Sequence, residues 1–136
     1  MIFDAWPVDS RIITQGYGEN PEFYAKFGLP GHEGIDFRAP EGAHIYAVWD
    51  GIVKRVSTDT SHPYGNFVVI QHADDYTTTY AHLSRIDVKV DQRVFSDESI
   101  GLAGNTGNSF GAHLHLTLKR NGKYIDPTPF LPEIEL

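Results

Sequence analysis

Short β-forming runs separated by turn residues dominate this sequence. The frequency of these turn residues limits the folds that the chain can adopt. The 136 residues include 13 glycines and 8 prolines, and the runs between them are rich in Val, Ile, Thr, Tyr and Phe, which favour strands. None of the runs carries an apolar helical stripe of useful length. The pattern predicts a mainly β fold, a single antiparallel sheet or sandwich domain over residues 1–136 with long loops, and an open barrel is also compatible with many short strands.

The turn residues divide the chain into predicted strands and one long loop. Prolines and glycines interrupt the stretch Glu19–Gly34, which is predicted to be a loop with one helical turn at Glu22–Lys26. Asn121-Gly122 is a strong hairpin signal. The predicted strands are Arg11–Thr14, His44–Trp49, Ile52–Ser57, Phe67–His72, Thr77–His82, Ser99–Ala103, Ala112–Lys119 and Lys123–Ile125.

The charge and composition exclude several classes of partner. The formal net charge of −7 argues against wide contact with a phosphate backbone, so we expect no nucleic-acid partner. No apolar run approaches the ~20 residues of a membrane span, and the opening "MIFDAWPVDSR" has neither the basic nor the long apolar region of a signal peptide. The chain contains no cysteine, which leaves histidines and carboxylates as the available metal ligands.

The stretch "FGAHLHLTLKR" places two histidines one residue apart in an otherwise apolar run. In a strand, alternate side chains share a face, so His113 and His115 stand opposite the leucines with Cα atoms roughly 6–7 Å apart. The tips of both imidazole rings can then contact one small bound ion or molecule. Taken alone, the pair fits a solvated strand face equally well.

Two further segments carry chemistry-bearing residues. In "GHEGIDF", His32 and Asp36 lie where a glycine-rich loop is predicted to run into a strand, and glycine freedom can aim both side chains at one point. In "TYAHLS", Tyr80 and His82 are predicted to share a strand face. Each segment by itself is also compatible with an ordinary polar loop or surface strand.

Together the segments supply the donors of a hydrolytic zinc site. Two histidines and one carboxylate with an open fourth position are typical of catalytic zinc, whereas structural zinc sites have four protein ligands. The remaining histidines would then carry protons or stabilise charge beside the metal.

At this point the sequence resembles a known family. "GHEGID", "YAHLS" and "GNTGNSFGAHLHL" are similar, in order, to the signature motifs of the LytM or lysostaphin-type zinc endopeptidases of peptidase family M23. The resemblance spans nearly the whole chain. It implies that His32, Asp36 and His115 are Zn²⁺ ligands and that His82 and His113 are the catalytic histidines.

The resemblance also implies a fold and a reaction. The fold would be the mainly β LytM type, with the site in a groove walled by the Glu19–Gly31 loop and the Asn105–Gly111 turn. The reaction would be hydrolysis of a peptide bond in the stem peptides or cross-bridges of bacterial peptidoglycan. Zinc would lower the pKa of its water from ~15.7 towards ~7, with His82 or His113 as proton acceptor and Tyr80 as a weaker candidate for holding the oxyanion.

Some positions depart from the family pattern. Asp91 and Asp97 stand at two turns where members often have glycine, and Asp tolerates the left-handed backbone such turns require. His44, His62 and His72 match no motif, so we interpret them as surface or edge residues.

Two other functions remain open at this stage. The chain could be a non-catalytic wall-binding or activator module, although such relatives tend to lose ligands that this chain keeps. It could also be a structural component of a phage tail or wall-associated assembly. The resemblance implies action in the periplasm or outside the cell, and an acidic chain facing an anionic wall suggests a separate targeting domain.

Overall fold

The computed structural model describes residues 2–107, 109 and 111–133. Strands dominate it, with one short helix α1 (Pro21–Ala25) and 3-10 turns at Ala73–Asp75 and Thr128–Phe130. The strands are β1 (Ile13–Gln15), β2 (Ile35–Arg38), β3 (His44–Tyr46), β4 (Gly51–Ser57), β5 (Phe67–Gln71), β6 (Tyr76–Ala81), β7 (Leu83–Ile86), β8 (Arg93–Val94), β9 (Ser99–Ala103), β10 (His113–Arg120) and β11 (Lys123–Ile125).

These strands form two sheets in which all pairings are antiparallel. The larger has the order β1-β2-β10-β6-β5-β4-β8, with β11 also paired to β10, and the smaller has the order β3-β9-β7. Strand β10 is central to the larger sheet, because residues 113–116 pair with β2 and residues 115–120 pair with β6. The prediction of a mainly β, antiparallel fold is confirmed.

The alternation of β10 separates a core face from a polar face. Leu114, Leu116 and Leu118 are fully buried and belong to one hydrophobic cluster, to which both sheets contribute. His113 and His115 lie on the opposite face, as the period-2 pattern predicts. The strand therefore anchors the fold with one face and presents both imidazoles on the other.

The strand boundaries differ from the predicted ones in understandable places. Strands β9 and β11 match, and others shift by a residue or two, which is the usual uncertainty at element ends. Strand β2 was expected only as a strand without stated bounds after the glycine-rich loop. Strands β7 and β8 were not predicted, because each is short and lacks a run of strand-forming residues. The predicted strand His44–Trp49 ends at Tyr46.

The turns confirm the interpretation of two aspartates and correct that of one histidine. Asp91 and Asp97 have φ values of 72° and 68°, the left-handed conformation expected there. His72, predicted to be a surface or edge residue, is only 7% exposed. Its Nδ1 donates a hydrogen bond of 2.7 Å to the Asp50 carbonyl. His72 is therefore a core residue whose buried N–H has a partner. Among the described residues, no helix is long and apolar enough to cross a bilayer.

Candidate metal centre

The loop before β2 fixes the ring of His32. The residue is 2% exposed, and its backbone N–H and C=O are bonded to Glu19 and Gly18. Its Nδ1 lies 3.0 Å from the carbonyl oxygen of Gly16. Because a carbonyl can only accept, Nδ1 carries the proton and Nε2 keeps its lone pair, which is the usual arrangement of a metal-binding histidine.

Asp36 and His115 meet because their strands are neighbours. They are directly paired across β2 and β10, so the two side chains rise from the same face at the same level. Asp36 Oδ1 lies 2.8 Å from His115 Nδ1. Both residues are buried, at 9% and 4% exposure.

The side chains of His32, Asp36 and His115 converge on one point. The Nε2 of His32 lies 3.3 Å from Asp36 Oδ1 and 3.1 Å from His115 Nδ1, and the three residues form the cluster able to hold a metal ion. Tetrahedral zinc with bonds of ~2.0–2.1 Å separates its ligand atoms by about 3.3 Å. The cluster is close to that spacing, and its donors suit zinc.

His82 reaches the cluster through an unusual backbone conformation. Strand alternation would point it to the core side, together with Tyr80, but its φ of 65° is left-handed and turns the ring to the polar face. Its ring centroid is 4.8 Å from that of His113 and 5.9 Å from that of His115. The prediction that Tyr80 and His82 share a strand face was therefore wrong.

His82 and His113, the two histidines outside the triad of His32, Asp36 and His115, are both held through Nδ1 by a backbone carbonyl. His82 Nδ1 lies 2.6 Å from the Thr106 carbonyl oxygen, and His113 Nδ1 lies 2.8 Å from that of Gly111. Each Nδ1 must donate, so each Nε2 is free to accept a proton. The His113 Nε2 is 3.7 Å from Asp36 Oδ2, which places it at the edge of the cluster.

The loops around the cluster include those expected to wall a groove. The carbonyls of Thr106 and Gly111 belong to the predicted Asn105–Gly111 turn, of which residues 108 and 110 lie outside the described residues. On the other side, the Tyr24 ring of the long loop is 5.3 Å from the His32 ring. Helix α1 confirms the helical turn predicted in that loop.

The structure places Tyr80 away from this centre. Its side chain is fully buried in the core, and its hydroxyl oxygen accepts hydrogen bonds from the Val48 N–H at 3.0 Å and the Thr78 hydroxyl at 2.9 Å. The other five predicted site residues are brought together, whereas the Tyr80 hydroxyl is occupied within the core.

Sequence reasoning missed two residues beside the centre, Glu33 and Tyr64. Glu33 Oε1 lies 2.8 Å from His115 Nε2 and accepts a hydrogen bond of 2.8 Å from the Tyr64 hydroxyl. Glu33 stands inside the "GHEGID" motif, so its position beside His32 was the available signal. Nothing in a glycine-rich loop, however, indicates which polar side chain becomes buried.

The charges in this pocket favour a cation. Burial raises the pKa of both carboxyls, but His115 outweighs burial, so the pKa of Glu33 falls to about 2 and that of Asp36 also lies below its usual value. Burial disfavours charged His115, yet the two carboxylates raise its pKa to about 9. Desolvation lowers the pKa of His82 to about 4, which leaves a neutral imidazole beside an anionic cluster.

Comparisons with known proteins identify the family to which this chain is similar. The family model of peptidase family M23 matches residues 30–127. Peptidoglycan DD-endopeptidase ShyA of Vibrio cholerae is 40% identical over 91% of this chain and 29% of its own length. Murein hydrolase activator NlpD of Salmonella dublin is 35% identical over 94% of this chain and 31% of its own. The chain thus spans under a third of these relatives.

A solved structure extends the agreement to the fold. A zinc-containing peptidase from Vibrio cholerae superposes with a TM-score of 0.80 at 37% identity, covering 100% of this chain and 41% of that one. Fold and site together define a metallopeptidase-type domain with LytM-type architecture. The chain belongs to peptidase family M23.

Proposed function

We propose that this chain is a zinc-dependent endopeptidase domain that hydrolyses peptide bonds in bacterial peptidoglycan. The observation that carries the proposal is the convergence of His32, Asp36 and His115 beside two further imidazoles with free Nε2 atoms. The names of the peptidoglycan-cleaving relatives support the substrate class. The site of action would be the cell wall, reached with the help of a domain or partner beyond this chain.

The five side chains divide the chemistry between them. His32, Asp36 and His115 would hold zinc, which supplies Lewis-acid polarisation of a carbonyl and a lowered pKa for water. His82 and His113 would accept and return protons through Nε2, since the carbonyls of Thr106 and Gly111 fix both rings in that tautomer. The burial of His82 keeps its imidazole neutral at pH 7 and able to accept a proton.

Digestion of purified peptidoglycan tests the proposal. The chain is expected to release peptide fragments whose masses identify the bond cut, to lose this activity with a chelator and to regain it with added Zn²⁺. His115→Ala, prepared in parallel, controls for contaminating hydrolases. A metal-free preparation that still cleaves would contradict the zinc requirement.

A second function is favoured by the similarity to the murein hydrolase activator. In that case the chain alone would release no fragments, and it would instead raise the rate of another peptidoglycan hydrolase. The same digestion, performed with and without such a hydrolase, separates the two functions.

A further inference from the structure

Glu33 is a buried carboxylate with an unusual set of neighbours. It is 7% exposed, and in the ion pairs of the described residues its partner is His115, with Oε1 2.8 Å from Nε2. His115 Nε2 has no hydrogen-bond partner among the described residues, so this short contact is a close approach of an imidazole and a carboxylate rather than a regular hydrogen bond. Glu33 Oε2 also has none among the described residues.

A buried carboxylate is costly to keep unless a cation or donors compensate it. Tyr64 supplies one donor through its hydroxyl, and its ring packs 5.1 Å from the His115 ring. No lysine or arginine of the described residues is paired with Glu33. The compensating positive charge must therefore come from His115 and from any cation bound at the Nδ1 of its ring.

The local sequence explains how Glu33 comes so close to β10. Gly34 follows it, and a Cβ at this position would collide with the backbone carbonyl of Leu116. Without a side chain at Gly34, the turn lies directly against the strand that carries His115. One turn thus supplies both a ligand, His32, and a carboxylate directed at another ligand.

We propose that Glu33, held by Tyr64, is a positioning residue for the metal ligand His115. It faces Nε2, so that Nδ1 is directed at His32 and Asp36, and its negative charge makes the imidazole a stronger donor to a cation. Carboxylates that contact the far nitrogen of a metal-binding histidine commonly act in this way. This inference rests on the proposed zinc site and adds Glu33 and Tyr64 to the residues that set its affinity.

Zinc affinity, measured by competition with a chromophoric chelator, is the direct test. Glu33→Ala is expected to weaken zinc binding about 10–100-fold. Glu33→Gln, which keeps the shape and removes the charge, is expected to lie between Glu33→Ala and wild type, and Tyr64→Phe to cause a smaller loss. Glu41→Gln, at an exposed turn, is the matched control and should bind like wild type.

Thermal melting of the chelator-treated proteins separates positioning from folding. The metal-free Glu33→Gln variant should melt cooperatively, so that its affinity can be measured on folded protein. Wild-type affinity in a folded Glu33→Gln and a folded Glu33→Ala would overturn the inference and leave the zinc site intact. If wild type itself failed to bind zinc, the proposed function would fail instead.

Discussion

His113 and His115 share one face of β10, but they turn different nitrogens toward Asp36. His115 presents Nδ1, 2.8 Å from Oδ1, and His113 presents Nε2, 3.7 Å from Oδ2. The Nδ1 of His113 is bonded to the Gly111 carbonyl instead. Neighbours of the same residue type on one strand face therefore present different ring nitrogens to the cluster, and this difference predicts different roles for them.

Alanine variants should separate these roles. His115→Ala is expected to lose zinc affinity by orders of magnitude and with it the stability that bound metal adds. His113→Ala should keep most of its zinc and lose about 10²–10⁴ in kcat. Zinc content, melting temperature and turnover, measured on both, provide the comparison. Equal metal loss in the two variants would make His113 a ligand.

Removal of the Tyr80 hydroxyl tests whether this residue belongs to the core alone. Tyr80→Phe leaves the buried N–H of Val48 without its acceptor, so we expect a loss of about 1–3 kcal/mol in the free energy of unfolding. The specific activity of the folded variant should be unchanged. A large fall in kcat with unaltered stability would instead indicate that Tyr80 takes part in catalysis.

The left-handed backbone of His82 should be visible as a difference between two variants. Both His82→Ala and His82→Gly remove the imidazole and should be nearly inactive. Glycine adopts a φ of 65° without steric cost. The free energy of unfolding of His82→Gly should therefore exceed that of His82→Ala by about 1 kcal/mol. Denaturant unfolding gives the value, and an alanine variant as stable as the glycine one would argue against strain.

His72 should make stability depend on pH. Desolvation lowers its pKa below the ordinary histidine value of 6.5, so the unfolded chain takes up a proton that the folded chain resists. The contribution of neutral His72 to the free energy of unfolding is complete above pH 6.5 and is lost as pH falls through the folded pKa. Over that range the free energy of unfolding changes by up to about 1.4 kcal/mol per pH unit.

Urea unfolding of wild type and His72→Asn at pH 7 and pH 5, in the presence of chelator, isolates this contribution. Other groups titrate in both proteins, so the difference between them reports on His72. The variant should lose less stability between the two pH values. Equal losses would mean that His72 is protonated equally easily in the folded and unfolded chains.

Local patterns explain which features could be predicted from the sequence. The period-2 alternation of β10 placed His113 and His115 on the polar face, and the motif order indicated the residues that meet. The His82 rotation could not be predicted in this way, because its backbone is set by distant partners: its N–H donates to the Tyr64 carbonyl and that of Leu83 to Asn66. The burial of Glu33 likewise depends on how a loop packs on a strand distant in sequence.

The spacing of the ligands along the chain has a consequence for biosynthesis. His32 and His115, which touch at 3.1 Å, are separated by 83 positions. A ribosome making this chain from its amino end has produced His32 and Asp36 long before His115 exists, and β2, already beside β1, must wait for β10 to gain its second neighbour. A nascent chain therefore cannot bring the three candidate ligands together before residue 115 has emerged, so any metal that they hold can be bound only late in the synthesis of the domain.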